Sequence, residues 1–258
     1  MKSRRWICAL PCGTALTATG SRPLNLDEAD PTDVGVVEID AGVSFADESE
    51  LRRWETPLGI TLGIAPGMDV GLAFGAQFER RIETPAIGSE REKWYNGVSD
   101  LEIGAKFRLT EACPLGARHA IVASVKLPTA DDDRELGSGK TDYGIAWIFS
   151  RELADGLNVH VNIAYTRVGG DDPDVWLAGI SLDVQLTEKL QAVGELVNEV
   201  ERVDDAESAS LFNIGLRWSL SEQLTLDVAA GGKIRGDVPD FTATAGLVWS
   251  FDAWTSER

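Results

Sequence analysis

Disulfides cannot hold this chain together. It has 3 cysteines in 258 residues, two of them, Cys8 and Cys12, within the first dozen positions, so Cys113 stands alone in the remainder. Stability must come from the fold itself. Positive charge is scarce too, with 24 Lys and Arg against 42 Asp and Glu, a net charge of −18. Phosphate neutralisation needs clustered cations, so nucleic-acid binding through a global basic field is excluded. Long apolar runs are missing, the mean hydropathy is −0.09, and apolar residues almost never recur at helical spacing. That excludes a bundle of membrane-spanning helices.

What the sequence has instead is alternation, the signature of strands with two unlike faces. Val37, Ile39, Ala41, Val43 and Phe45 alternate with Glu38, Asp40, Gly42 and Ser44. The same rhythm returns from Leu58 to Ile64, Val70 to Phe78, Leu101 to Leu109, Ile121 to Leu127, Tyr143 to Phe149, Leu157 to Tyr165, Trp176 to Val184, Phe212 to Trp218, Leu224 to Ala230 and Phe241 to Phe251. A weaker segment, Leu190 to Val200, completes twelve. Its register is ambiguous, because Val193 and Val197 fall opposite to Leu190 and Leu196.

The connections alternate as well. Ala65-Pro66-Gly67, Glu152 to Gly156, Thr187 to Lys189 and Ser221 to Gln223 are tight, and Glu111 to Ala117 is somewhat longer. Between them fall the longer or more acidic stretches Ala46 to Glu55, Arg80 to Val98, Pro128 to Thr141, Gly169 to Asp174, Glu201 to Ser208 and Gly236 to Asp240. An even strand count with short turns at one end and long loops at the other predicts an all-β fold, a transmembrane antiparallel up-and-down β-barrel of about 12 strands. A soluble barrel with its apolar face inward shows the same alternation. Two aromatic girdles decide against it, since Trp and Tyr prefer the membrane interface. Phe45, Trp54, Phe74, Phe78, Tyr143, Tyr165, Trp176, Phe212 and Phe241 fall towards the outer rim. Phe107, Trp147, Phe149, Trp218, Trp249 and Phe251 fall towards the inner one.

The ends fit this placement. Lys2, Arg4 and Arg5 precede a short apolar or small stretch ending near Ala18 and Gly20, which reads as a secretory signal over residues 1–20. The alternative is a lipoprotein acylated at Cys12. Residues 21–35 are expected in the periplasm, 36–251 form the barrel, and 252–258 form a tail. Localisation is then the outer membrane of a Gram-negative bacterium. Outer-membrane lipid, lipopolysaccharide and the barrel assembly machinery are the expected partners, with no nucleic acid.

Three stretches resemble a family of outer-membrane barrels named for the MetA pathway of phenol degradation. They are Arg22-Pro23-Leu24-Asn25-Leu26-Asp27-Glu28-Ala29-Asp30, Gly97 to Leu109, and Val125-Lys126-Leu127-Pro128-Thr129 with Leu136 to Asp142. Ala130 departs from the glycine usual in the family. The resemblance implies a pore-forming barrel, linked to uptake of aromatic compounds mainly through genetic neighbourhood, and it names no catalytic group.

No site of chemistry stands out. Gly137 to Thr141 lacks the upstream glycine of a phosphate loop and leads into a strand, and Arg235-Gly236-Asp237 reads as an acidic turn. The inward face is the informative surface. Its polar positions are Glu38, Asp40, Asp69, Gln77, Glu102, Lys106, Arg108, Lys126, His160, Asp183, Glu195, Arg217, Asp227 and Lys233, expected to line the lumen. On this reading the basic members form one wall facing Glu38, Asp40, Asp69 and Asp183. The expected function is passive passage of small solutes, aromatic or amphiphilic ones included, with no cofactor, metal or catalysis. The alternatives are a structural or surface-interaction barrel sealed by salt bridges, and a membrane-embedded hydrolase using His119 or His160.

Overall fold

The computed structural model describes residues 22–83, 91–110, 113, 116–134, 136–203 and 208–254. The expected signal at 1–20 and Cys12 lie outside them, as do residues 255–258. The described chain is built of strands: β1 Val36–Asp47, β2 Leu51–Ala65, β3 Met68–Glu83, β4 Arg91–Val98, β5 Leu101–Thr110, β6 Arg118–Leu127, β7 Asp142–Ala154, β8 Leu157–Arg167, β9 Val175–Gln185, β10 Leu190–Glu201, β11 Ser208–Ser219, β12 Leu224–Arg235 and β13 Phe241–Asp252. Each pairs antiparallel with its neighbours in sequence, except that β4 and β5 both pair with β3 and not with each other, and β1 pairs β13 along its whole length, from Val36 with Asp252 to Asp47 with Phe241. The sheet closes, so no edge is left unpaired in hydrocarbon.

Thirteen strands make a wall of twelve. The long β3 pairs β5 through Met68–Ala73 and β4 through Ala76–Glu83, so β4 and β5 are two pieces of one wall strand interrupted at Ser99 and Asp100. Part of what the sequence reads as the loop Arg80 to Val98 is thus a hairpin extending β3. The stretch Ala46 to Glu55 is mostly strand, with Leu51 to Glu55 already paired to β3. These segments carry Arg, Glu and Lys on both faces, which hides alternation from a reading by hydropathy. Turns at the periplasmic end are tight. Gly67 and Gly156 supply the left-handed residue that two of them require, at φ 76° and 71°.

The apolar face points outward. Ile163, Ile180, Ile214 and Val228 are exposed, whereas their chain neighbours Ala164, Ser181, Asn213 and Ala229 are buried. Girdle residues pack side by side on this exterior: Phe45 on Trp54 and Phe241, Trp54 on Trp94, Tyr165 on Trp176, and Trp249 on Phe251. His119 belongs to the inner girdle, its ring 5.4 Å from those of both Trp147 and Phe149.

Candidate functional site

Strand pairing fixes which side chains share the lumen. One row runs through Ser150, His160, Ser181, Glu195 and Asn213, each directly opposite the next. These polar residues are buried because another part of the chain lies against them. From Arg22 to Thr32 the chain threads the lumen and is tied by hydrogen bonds or ion pairs to ten strands. Arg22 pairs with Asp227 of β12 at 3.1 Å. The amides of Asn25 and Leu26, the Asn25 side chain and Asn213 all donate to Glu195 of β10, at 2.7 to 3.0 Å. Asp27 exchanges two hydrogen bonds with Asn162 of β8 and meets Lys106 of β5 at 2.7 Å. Ala29 N–H donates to Ser150 of β7 at 2.8 Å, and Thr32 N–H to Asp69 of β3 at 2.9 Å.

The expectation of a periplasmic segment at 21–35 is therefore corrected for this stretch. Its polar groups find partners inside the barrel, where Leu26 and Ala29 also pack against Val197, Leu211 and Ile148. The wall is shaped for it. A Cβ at Gly179 would collide with the Leu26 side chain, and Cβ atoms at Gly42 and Gly246 with the Arg22 guanidinium.

The two-wall arrangement of charge is corrected as well. Asp183 lies 2.7 Å from Arg217 and Asp69 faces Lys106 across the β3–β5 ladder, so opposite charges interleave. Arg108 and Arg118 share Asp30, an arrangement made possible only by the threaded segment. Lys126 lies between Asp100 and Asp142 at 2.8 and 2.9 Å, with Glu102 opposite it in the ladder. Gln77 donates to the Leu136 carbonyl, Glu38 accepts from Thr32, Asp40 sits near Glu38, Arg22 and Asp227, and Lys233 reaches Asp240 near the outer rim. Arg53 and Arg81 both pair with the fully buried Glu79.

Ser150, His160 and Asp183 come together in a way their sequence spacing does not advertise. Ser150 Oγ lies 2.7 Å from His160 Nδ1, and His160 Nε2 lies 3.6 Å from Asp183. The serine is fully buried and its oxygen accepts the Ala29 amide, in the position a substrate carbonyl would need. Asp183 is held by Arg217, whose Nε donates to the Arg22 carbonyl. The cluster fastens the threaded segment, and this geometry gives nucleophilic attack no room. Among the described residues no group of three or more His, Cys, Asp or Glu is arranged to hold a metal ion.

Above the polar row the wall turns apolar. Ala120, Val122, Ala146, Ile148, Ala164, Leu177, Val197 and Leu211 are buried on its inner side. This explains the ambiguous register of β10: Val193 and Val197 point inward, while Leu196 faces outward and is exposed. The outer part of the lumen is divided across its section: apolar on the inner side of β6 to β11, and charged on β2, β3, β5 and the outer ends of β6 and β7, where Arg53 pairs with Glu79 and Lys126 with Asp100 and Asp142.

The family described as Putative MetA-pathway of phenol degradation matches residues 29–251. The chain belongs to this family. Among solved structures, the COG4313 outer membrane channel from Pseudomonas putida F1 shares 12% identity at a TM-score of 0.68, over 86% of this chain and 98% of that one. The NanC porin shares 12% at a TM-score of 0.56, over 83% and 98%. The translocator domain of the autotransporter NalP from Neisseria meningitidis shares 11% at 0.54, over 86% and 91%. No curated protein matches the sequence. These likenesses show the fold. This family member is a twelve-stranded barrel of the Gram-negative outer membrane, and its apolar exterior and girdles suit that place.

Proposed function

We propose that this family member is a channel for passive passage of small molecules through the outer membrane, with residues 22–32 as its constriction. The observation that carries this reading is that the wall closes without the threaded segment. Residues 22–32 are held by side chains and take no part in the sheet, the first bridge to it being Val34 with Gly63. Twelve strands stand between the eight whose interior side chains fill and the sixteen that leave a wide aqueous channel. A lumen with one apolar side on β6 to β11 and charged groups opposite suits solutes with an apolar body and a polar group, aromatic or amphiphilic ones included. Binding of lipopolysaccharide at the outer leaflet, handling by the assembly machinery and export with removal of residues 1–20 belong to the same proposal. Purified chain in a planar bilayer is expected to give small single-channel currents that grow when residues 22–32 are removed. Silence from both forms would sink the channel and favour a sealed structural barrel.

A further inference from the structure

The lumen is filled unevenly around its circumference. In the middle of β7 to β10 the inward side chains are buried, Ser150, His160, Ser181 and Glu195 among them. On β1 and β13 every inward position, from Val36 to Ala46 and from Thr242 to Ser250, keeps part of its surface open. An inward group in the middle of a closed wall can be exposed only to space inside the barrel, so a strip of open lumen runs along the β1–β13 seam. The threaded segment leans the other way. Leu26 and Ala29 pack in the buried cluster on β6 to β11, and the segment meets the seam with side chains, the Arg22 guanidinium over Gly42 and Gly246 and the Thr32 hydroxyl on Glu38.

The unpaired charges beside this strip have one sign. Glu38 and Asp40 of β1 are partly exposed. Glu28, whose charge acts on Glu38, is exposed although Asp27 and Ala29 on either side of it are buried. Among the described residues none of the three carboxylates has an ion pair, whereas the cations that act on them are engaged elsewhere. Arg22, near Asp40, is held by Asp227; Lys106 and Arg217, near Glu28, are held by Asp27 and Asp183. Towards the periplasm Arg108 and Arg118 share Asp30, and towards the outside Arg53 and Arg81 share Glu79. The three acids form no metal cage, but between low-dielectric walls their field is focused on whatever passes. We propose that the open passage follows the β1–β13 seam and that Glu28, Glu38 and Asp40 make it selective for cations over anions. The proposal rests on the channel reading for passage, and it narrows the solutes to neutral and positively charged ones.

The test is the rate at which two thiol reagents of opposite charge, trimethylammonium-ethyl and sulfonatoethyl methanethiosulfonate, label single cysteines in the purified barrel in lipid nanodiscs. Labelling is read by mass, each rate is divided by that with free mercaptoethanol, and the Cys113→Ser parent supplies the background. Ser44→Cys lies on the seam and Ser181→Cys on the filled side, where Ser181 is 2% exposed. Ser44→Cys is expected to label several-fold faster than Ser181→Cys, with the cationic reagent favoured about tenfold, the low end of what a focused field does to local ion concentration. Adding Glu38→Gln and Asp40→Asn is expected to cut that preference several-fold. If the combined variant gives no folded, heat-modifiable band, Glu28→Gln alters an exposed side chain and is expected to cut it by a smaller factor. Equal labelling at the two positions overturns the proposal, and so does a charge preference that survives these changes. The expected labelling without single-channel currents overturns the channel and leaves the acidic strip standing, whereas currents that favour anions in a salt gradient do the reverse.

Discussion

In the periplasmic half of the lumen Lys106, Glu195, Arg217 and Asp227 each have an opposite charge or several amide donors against them. In the outer half Val122, Ala146, Ala164 and Leu177 line one side of the wall, and on the other Arg53 pairs with Glu79 and Lys126 with Asp100 and Asp142. Both halves are built by the same strands on the same alternation, and only the identity of the inward residues differs. The lower half is completed by the protein's own chain, which brings Arg22, Asp27 and Asp30 to the wall. The upper half pairs its charges within the wall, and its apolar side packs in one buried cluster with Leu26, Ala29 and Val238. A barrel that spans a membrane must present a uniform apolar exterior. Its interior is free to vary with height, and here that freedom separates a zone bonded to the threaded segment from one whose charges pair within the wall.

The largest expected effect comes from removing the lower half's filling. Deleting residues 22–32 strips partners from ten strands but leaves the β1–β13 closure intact. The barrel is expected to remain heat-modifiable in detergent while its single-channel conductance rises several-fold. If conductance is unchanged, the segment is not the constriction and the two halves do not differ as described.

Glu195→Ala comes next. One carboxylate accepts from Asn25 N–H, the Asn25 side chain, Leu26 N–H and Asn213, so its loss leaves several buried donors without an acceptor. About 3 kcal/mol of the docking free energy of the segment is expected to disappear. Limited proteolysis within residues 22–32 is the measurement, with cleavage rising roughly a hundredfold for that cost. The corresponding outer-half change, Glu199→Gln, is expected to leave cleavage as it is. Matching cleavage in the two variants would erase the contrast.

A subtler probe acts through shape. A methyl group at Gly179 meets the Leu26 side chain and the Leu196 carbonyl, so Gly179→Ala is expected to loosen the segment by about 1 to 2 kcal/mol, the usual cost of overpacking. Denaturant unfolding of the barrel itself should shift little, and proteolysis of the segment should show the effect.

How much of this was legible in the sequence differs between the wall and its contents. The alternation from Val37 to Phe45 or from Phe241 to Phe251 names strands and faces, because burial in lipid imposes a period of two. The inward residues follow by parity, which places His160, Asp183 and Glu195 on one surface. The fate of Arg22 to Thr32 does not follow. That stretch has no period, since it bonds through backbone amides to side chains up to 170 positions away, and no local pattern records such partners. One trace was present: an inward set with so many charges demands counter-charges, and Arg22, Asp27 and Asp30 lie just before the first strand. The register of β10 was obscured for a different reason. β10 carries valines on its inner face and leucines on its outer one, so alternation fades where the lumen becomes apolar.

The smallest expected effect lies at the outer rim. Asp174 ties the β8–β9 and β10–β11 loops together: it accepts from Tyr165 Oη at 2.5 Å, from Arg167 and from the Val168 amide, and it approaches Arg202 at 3.9 Å. The Tyr165 hydrogen bond first, and then the Val168 amide and Arg167, hold its carboxyl below the usual carboxylate range. A group whose folded pKa is depressed contributes above its unfolded value, and the contribution fades as pH falls through the folded one. The tie should therefore be intact at neutral pH and release only in acid stronger than an ordinary aspartate needs. Asp174→Asn should behave at neutral pH as the native loop does in that acid, with faster hydrogen exchange at the Val168 amide and no change in proteolysis of residues 22–32. Solvent screens these charges, so moderate salt is expected to blunt the difference at Asp174 while leaving the buried Lys106–Asp27 pair untouched. If salt releases both equally, the lower half is as open to water as the rim, and its filling is no seal.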